Sequence, residues 1–235
     1  MISIIIPTLN EESYLPLLLD SITAKNSGFT DYEIIVADGN SQDRTIEIAR
    51  NFKCKVVSGG LPARGRNTGA KIAKGDLFLF LDADIMLPLN FFSDTIPEFQ
   101  KRKLAIASFP LSPKGNIIDS FLFSLYNFLA RISQKFYPYA SQVIFIERKI
   151  HEAIGGFDEE IKIGEDHWYV RNAKKFGKFG ILTNPVFSSL RRFELEGRLS
   201  LYTKYFLCGL YMIFFGRVIS DIFRYRFHNY PRKNI

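Results

Sequence analysis

Three five-residue runs rich in Ile, Val, Leu and Phe, ISIII at 2–6, EIIVA at 33–37 and LFLFL at 77–81, each stop abruptly on polar residues. The first gives way to Pro7-Thr8-Leu9-Asn10-Glu11, the second to Asp38-Gly39-Asn40-Ser41 and the third to Asp82-Ala83-Asp84. Helical patterns separate them. Ser13 is placed to cap a helix through about Thr23, with Leu15, Leu18, Leu19 and Ile22 as its apolar stripe. A helix around 43–52 leads to a short strand near 55–57, and GGLPARGRNTGAKIAKG supplies a glycine-rich turn and a helix before LFLFL. This alternation predicts a mainly parallel sheet covered on both faces. Ligands of open α/β sheets bind beyond the carboxyl ends of the strands. The three polar loops are therefore expected to converge on one crevice.

The second half continues the same unit. A helix is expected over about 90–102, a strand at 105–109, an aromatic amphipathic segment at 117–136 and a strand at 141–147. A Gly-Gly turn and an acidic loop then precede a helix over 165–176. No repeat or low-complexity linker interrupts the chain, which favours one continuous α/β unit.

Composition and charge narrow the classes. With 47% hydrophobic residues and 23 Phe, the chain is not a disordered polar protein. Residues 191–235 hold nine Lys or Arg and three acids, so +6 of the formal +7 lies there. A basic tail beside the uncharged run YFLCGLYMIFF at 205–215 favours anionic lipid over nucleic acid, and no specific nucleic acid is expected. Eleven residues fall short of the roughly 20 of a membrane span. The run reads as a helix lying in the interface, with a core or dimerisation helix as the alternative; a homo-oligomer is left open. Cys54 and Cys208 stand apart without a His/Cys cluster and read as reduced, buried thiols. The start of the chain lacks a secretory pattern. The expected location is cytoplasmic, peripheral at the cytoplasmic membrane face. His151 reads as structural and His228 as too isolated for a metal.

The carboxylates carry the chemistry. Asp82 and Asp84, two residues apart, repel unless a cation or ordered donors compensate. Mg²⁺ or Mn²⁺ would do so, and would also bridge diphosphate oxygens. Glu165 and Asp166 open a predicted helix, where acids serve equally as simple dipole partners. Arg64, Arg66 and Lys71 either cover a solvated helix face or reach toward a ligand. No GxxxxGK[ST] and no GxGxxG follows the first strand, which argues against a P-loop and against an NAD-binding site.

SIIIPTLNEE, EIIVADGNSQDRT, ARGRNTGAKIAKGD, FLFLDAD and GGFDEEIKIGEDHWYVRNAKKFG occur in an order that closely resembles the inverting family 2 glycosyltransferases, over residues 1–190. The resemblance implies the GT-A fold, a Rossmann-like nucleotide-diphospho-sugar transferase fold with a central, mostly parallel mixed sheet. It implies that Asp84 is the more direct metal ligand, with Asp82 nearer the ribose or a bridging water. Asp38 would recognise the base; Pro7, Thr8, Asn10 and Glu11 would line the nucleotide cradle; and at least one of Arg64 and Arg66 would approach the base or diphosphate. Asp166 would be the catalytic base. Glu165, His167, Trp168, Arg191 and Arg192 are candidate acceptor or phosphate contacts, although Trp168 suits packing and the Arg pair suits surface ion pairs. Residues 1–110 would bind the UDP- or GDP-linked donor, 111–190 would carry the acceptor side and the base, and 191–235 would form a basic, apolar helical tail.

The expected function is thus metal-dependent, inverting transfer of a sugar to a hydroxyl or a membrane-proximal, lipid-linked acceptor, with residues 198–235 against an anionic membrane. The alternatives are a sugar-phosphate nucleotidylyltransferase, which PTLNEESYLP matches poorly, and a non-catalytic, membrane-associated nucleotide-sugar-binding protein.

Overall fold

The computed structural model describes residues 1–113 and 115–223. Its first half alternates as the sequence predicts: β1 (Ile2–Thr8), α1 (Leu15–Thr23), β2 (Tyr32–Asp38), α2 (Thr45–Asn51), β3 (Lys55–Ser58), α3 (Pro62–Ile72) and β4 (Leu77–Leu81). There follow β5 (Ile85–Met86), α4 (Phe91–Lys101), β6 (Ile106–Ser108), β7 (Leu111–Pro113), α5 (Ile117–Ser133), β8 (Val143–Glu147) and α6 (Arg148–Ala153). The described chain closes with α7 (Glu165–Ala173), β9 (Phe179–Ile181), β10 (Val186–Ser188), α8 (Arg191–Glu196) and α9 (Arg198–Phe215).

Seven strands form one sheet in the order β3-β2-β1-β4-β8-β6-β9. β1 to β4 are parallel, and β8 runs antiparallel to both β4 and β6. Alternate residues divide the two cores. Ile4, Ile6, Val36, Leu79 and Leu81 meet α1 and α4, whereas Ile5, Ile35, Phe78 and Phe80 meet α3 and α7. Burial on both faces is why the three runs lack polar alternation. The register pairs Thr8 with Asp38, so β1 and β2 end level and their loops leave side by side.

α3 lies close against β1 because its facing residues are glycines. A Cβ at Gly65 would sit 3.0 Å from Pro7, and one at Gly69 would sit 2.5 Å from an Ile5 methyl. The helix therefore enters at the carboxyl end of the sheet and descends beneath it.

One expectation needs correction. Ser13 does not cap α1: it is exposed, and the helix grows from a turn in which Tyr14 and Leu15 N–H donate to the Glu11 carbonyl, with Pro16 in its first turn. The 205–215 run is helical, as expected, and is the end of a helix that begins at Arg198, because Leu201 extends the buried stripe of Cys208 and Met212. Among the described residues no helix is long and apolar enough to cross a membrane. Arg224, Arg226, His228, Arg232 and Lys233 lie outside the described residues.

Candidate active site

The loops after β1 and β2 are laced together at Asp38. Its carboxylate is 6% exposed and accepts four hydrogen bonds. Thr8 Oγ1 (3.1 Å) and Ser41 Oγ (2.6 Å) donate to one oxygen, and the Asn40 and Ser41 N–H groups donate to the other at 3.0 and 2.8 Å. Asn10 and Asn40 both adopt left-handed backbone, at φ 55° and 74°. Asn10 N–H donates to Ser41 Oγ, and Asn10 Oδ1 accepts from Gln42 N–H, each at 2.8 Å. Asp38 thus shapes the cradle wall by holding its own loop. Pro7 sits half-buried beneath, facing α3.

Glu11 and the two aspartates after β4 bring three carboxylates to the same crevice, with arginines on either side. Arg191, at the start of α8, donates from both terminal nitrogens to Glu11 at 2.8 and 2.9 Å, lies 3.7 Å from Asp84 and stacks over Tyr14. Arg66 is 4% exposed, so the solvated-face reading fails for it. It donates to Asp82 at 2.6 Å and to Glu165 at 2.8 Å. Its guanidinium rests on Phe157, which itself stacks on Tyr169 with ring centroids 3.7 Å apart. Asn67 fixes that ring by exchanging two hydrogen bonds with the Phe157 backbone.

Two arginines do not satisfy this cluster. Burial, followed by the neighbouring Glu11 charge, pushes Asp84 up to about 7 despite Arg191. Burial also raises Glu11 and Asp82 against the pull of their arginines. A buried group of hard carboxylate oxygens that resists ionisation fits a divalent Mg²⁺ or Mn²⁺. Among the described residues no three ligating side chains surround one point, so further ligands would be oxygens of a bound molecule or water.

α7 begins after Gly164, whose φ of 77° lets the chain turn into the helix. Glu165 faces Arg66. Asp166 accepts from the His167 N–H at 2.7 Å. Burial, and then the Glu165 charge, raise the Asp166 carboxyl well above the ordinary carboxylate range, although Arg66 pulls it down. A carboxylate held in this way takes up a proton near neutral pH.

The other expected contacts have varied surroundings. His167 Nδ1 accepts from the Ala140 N–H at 3.1 Å and its ring packs on Tyr139; burial and Arg171 push it down to about 4, which keeps it neutral. Trp168 meets Arg217, 5.8 Å from the ring centroid, at the turn that ends α9. Arg192 Nε lies 3.9 Å from Glu196, while its charge favours ionised Asp82 and Asp84. Arg64 is exposed beside Gly60 at the α3 entrance. Lys71 is exposed two residues below Gly69, at the end of α3 remote from the crevice, and is not a donor contact. The sequence reading missed Tyr14 and Phe157, the platforms under the two arginines; only the GGFDEE motif hinted at the second.

The sequence profile described as Glycosyl transferase family 2 matches residues 3–156. The poly(ribitol-phosphate) beta-N-acetylglucosaminyltransferase TarS of Staphylococcus aureus is 33% identical over 90 residues, which is 35% of this chain and 16% of that protein. Among solved structures, S. aureus TarS 1–349 in complex with UDP-GlcNAc superposes with a TM-score of 0.64 at 21% identity, over 80% of this chain and 58% of that one. The mannosyltransferase PcManGT from Pyrobaculum calidifontis, in complex with GDP-Man and Mn2+, gives 0.70 at 19% identity, over 89% and 64%. The chain thus spans less than two thirds of each. At these identities the structural likenesses establish the fold, which is GT-A with a mostly parallel central sheet. The matching profile covers well over half of the residues, including every loop from β1 through β8, and on that ground the chain belongs to glycosyl transferase family 2.

Proposed function

We propose that this chain transfers a sugar from a UDP- or GDP-linked donor to an acceptor hydroxyl, with inversion, in a reaction that needs Mg²⁺ or Mn²⁺. The observation that carries the reading is the Arg66 clamp. It ties the Asp82 loop on the donor side to Glu165, the neighbour of Asp166, on the acceptor side. The UDP-GlcNAc of the TarS complex and the GDP-Man and Mn2+ of the PcManGT complex support a nucleotide-sugar donor and a divalent metal.

In this reading the loops at Thr8–Glu11 and Asp38–Ser41 cradle the nucleoside, while Asp84 and Asp82 would hold the metal. The bound metal would neutralise charge on the departing diphosphate. Asp166 accepts the proton of the acceptor hydroxyl as its oxygen bonds to the anomeric carbon. The carbon–oxygen bond to the diphosphate breaks on the opposite face, and nucleoside diphosphate leaves with the electron pair. Residues 1–110 serve the donor and 111–190 the acceptor. The apolar, basic section from 198 supports a lipid-linked acceptor at a membrane surface.

The test is product analysis with a panel of nucleotide sugars and Mn²⁺. Nucleoside diphosphate release is expected; pyrophosphate release from nucleoside triphosphate and sugar phosphate would instead mark a nucleotidylyltransferase, and donor binding without turnover would mark a binding protein. Asp84→Asn is expected to lower release by about 100-fold or more, without unfolding. Because folding raises the Asp84 pKa, its ionised form is penalised above the unfolded value near 4 and fully so above about 7. The variant should therefore melt higher than the metal-free wild type at pH 8, and equally at pH 3.

A further inference from the structure

α5 is built inside out. It turns polar groups toward the protein: Asp119 is fully buried, Asn127 Oδ1 accepts from the Leu111 N–H, and Asn127 Nδ2 donates to the Leu111 carbonyl. At helical spacing it presents Phe121 (66% exposed), Leu125, Phe128 (59%) and Ile132 (60%) outward. α9 buries Leu201, Cys208 and Met212 and presents Phe206 (65%), Leu210, Ile213 and Phe214 (76%) outward, with no charge from 205 to 215.

The two helices are joined. Arg198 donates from two nitrogens to Asp119 at 3.0–3.1 Å, and Phe123 of α5 packs with Phe193 and Leu201. A large side chain offers roughly 150–250 Å² when fully exposed. The exposed residues of α5 alone therefore amount to several hundred Å², as much as the largest patch on a typical monomer, and α9 adds a similar amount.

α9 touches the turn that leads into α7, and α5 reaches the first turn of α7 through Ala140. Tyr126 of α5 donates to the Ala140 carbonyl, and the Ala140 N–H donates to His167. Cys208 and Met212 of α9 pack with Ile163, and a Cβ at Gly164 would lie 2.6 Å from the Met212 sulfur.

Charge selects the occupant. By sequence, residues 116–136 and 198–235 carry nine Lys or Arg and two Asp. Three of the bases are already paired, Arg198 with Asp119, Lys204 with Glu196 and Arg217 with Asp158, while Arg131 and Lys135 stand exposed at the end of α5. Four of those bases, Arg224, Arg226, Arg232 and Lys233, lie outside the described residues. A second copy meeting through these segments would bring the same excess of bases by sequence. An anionic bilayer offers acyl chains to the Phe and Ile side chains and phosphates to the bases.

We infer that the outer faces of α5 and α9 form one surface that docks on an anionic lipid bilayer and sets the α7 turn bearing Asp166 at headgroup level. The inference rests on the reading of Asp166 as the acceptor-side base, and it narrows the acceptor to an amphiphile whose hydroxyl lies at the membrane surface.

The test is flotation of the full chain with vesicles of phosphatidylcholine alone or with 30% phosphatidylglycerol, a fraction chosen on the order of that in anionic membranes. Binding is expected only to the anionic vesicles and should weaken as salt is raised. Phe121→Ser/Phe128→Ser in α5, and separately Phe206→Ser/Phe214→Ser in α9, should each reduce it at least about tenfold, since both signals are needed for stable anchoring. Thermal shift with nucleoside diphosphate and Mn²⁺ should be unchanged in both variants. That readout separates failure of the docking surface from failure of the nucleotide-sugar reading. Vesicle binding that survives both double substitutions overturns the inference. So does a dimer, seen by light scattering, that the same substitutions dissolve.

Discussion

Asp166→Asn is expected to lower kcat on a hydroxyl acceptor by about 10²–10⁴-fold, the usual share of a positioned general base, while nucleotide affinity stays within about twofold. Asn keeps the shape and the hydrogen bond from the His167 N–H, so the helix start should persist. The wild-type pH profile adds a signature. A base must be deprotonated to act, so activity falls as pH drops through its pKa. Burial and Glu165 raise that pKa, and the acid limb should therefore lie near neutrality rather than near the ordinary Asp value of about 4. A limb near 4, or unchanged turnover in Asp166→Asn, would remove Asp166 from the base role.

Arg66→Met should produce the largest loss of stability, about 3–5 kcal/mol in denaturant titration, because it leaves Asp82 and Glu165 facing each other without a cation. The flanking Phe157 and Tyr169 supply apolar surface for the Met stem, so packing alone accounts for little of this. Arg66→Lys should be intermediate, since one ammonium cannot reproduce two guanidinium contacts to separate carboxylates. Arg66 also pulls down the Asp166 pKa. The acid limb of any residual activity in Arg66→Lys should therefore stay below that in Arg66→Met. A loss under about 1 kcal/mol in Arg66→Met would show that the clamp is not a structural ion triad.

What the sequence discloses follows from physics rather than from length of motif. β1, β2 and β4 are legible because burial on both faces excludes polar residues, and their loops are legible because each strand ends in an abrupt change of polarity. β5, β7 and β10 are not, since two or three residues carry no period. The amphipathic pattern of 117–136 identifies α5, but periodicity marks an apolar face without saying which side the protein occupies. The same blindness hid the difference among the bases of α3. Arg64, Arg66 and Lys71 look alike in sequence, yet α3 buries one between two carboxylates and leaves the others in solvent. Asp38 was legible as important, and its four hydrogen bonds give it a further task, holding the cradle together.

The whole account rests on a diphosphate leaving group lodged at the ends of β1, β2 and β4, opposite Asp166. A crystal structure with an intact nucleotide sugar and Mn²⁺ measures this directly. The account predicts a metal about 2.0–2.2 Å from an Asp84 oxygen, diphosphate oxygens completing its shell, the nucleoside in the Asp38 cradle and the anomeric carbon turned toward Asp166. Density for the diphosphate away from Asp38 and Asp84, or an anomeric carbon facing away from α7, would contradict it.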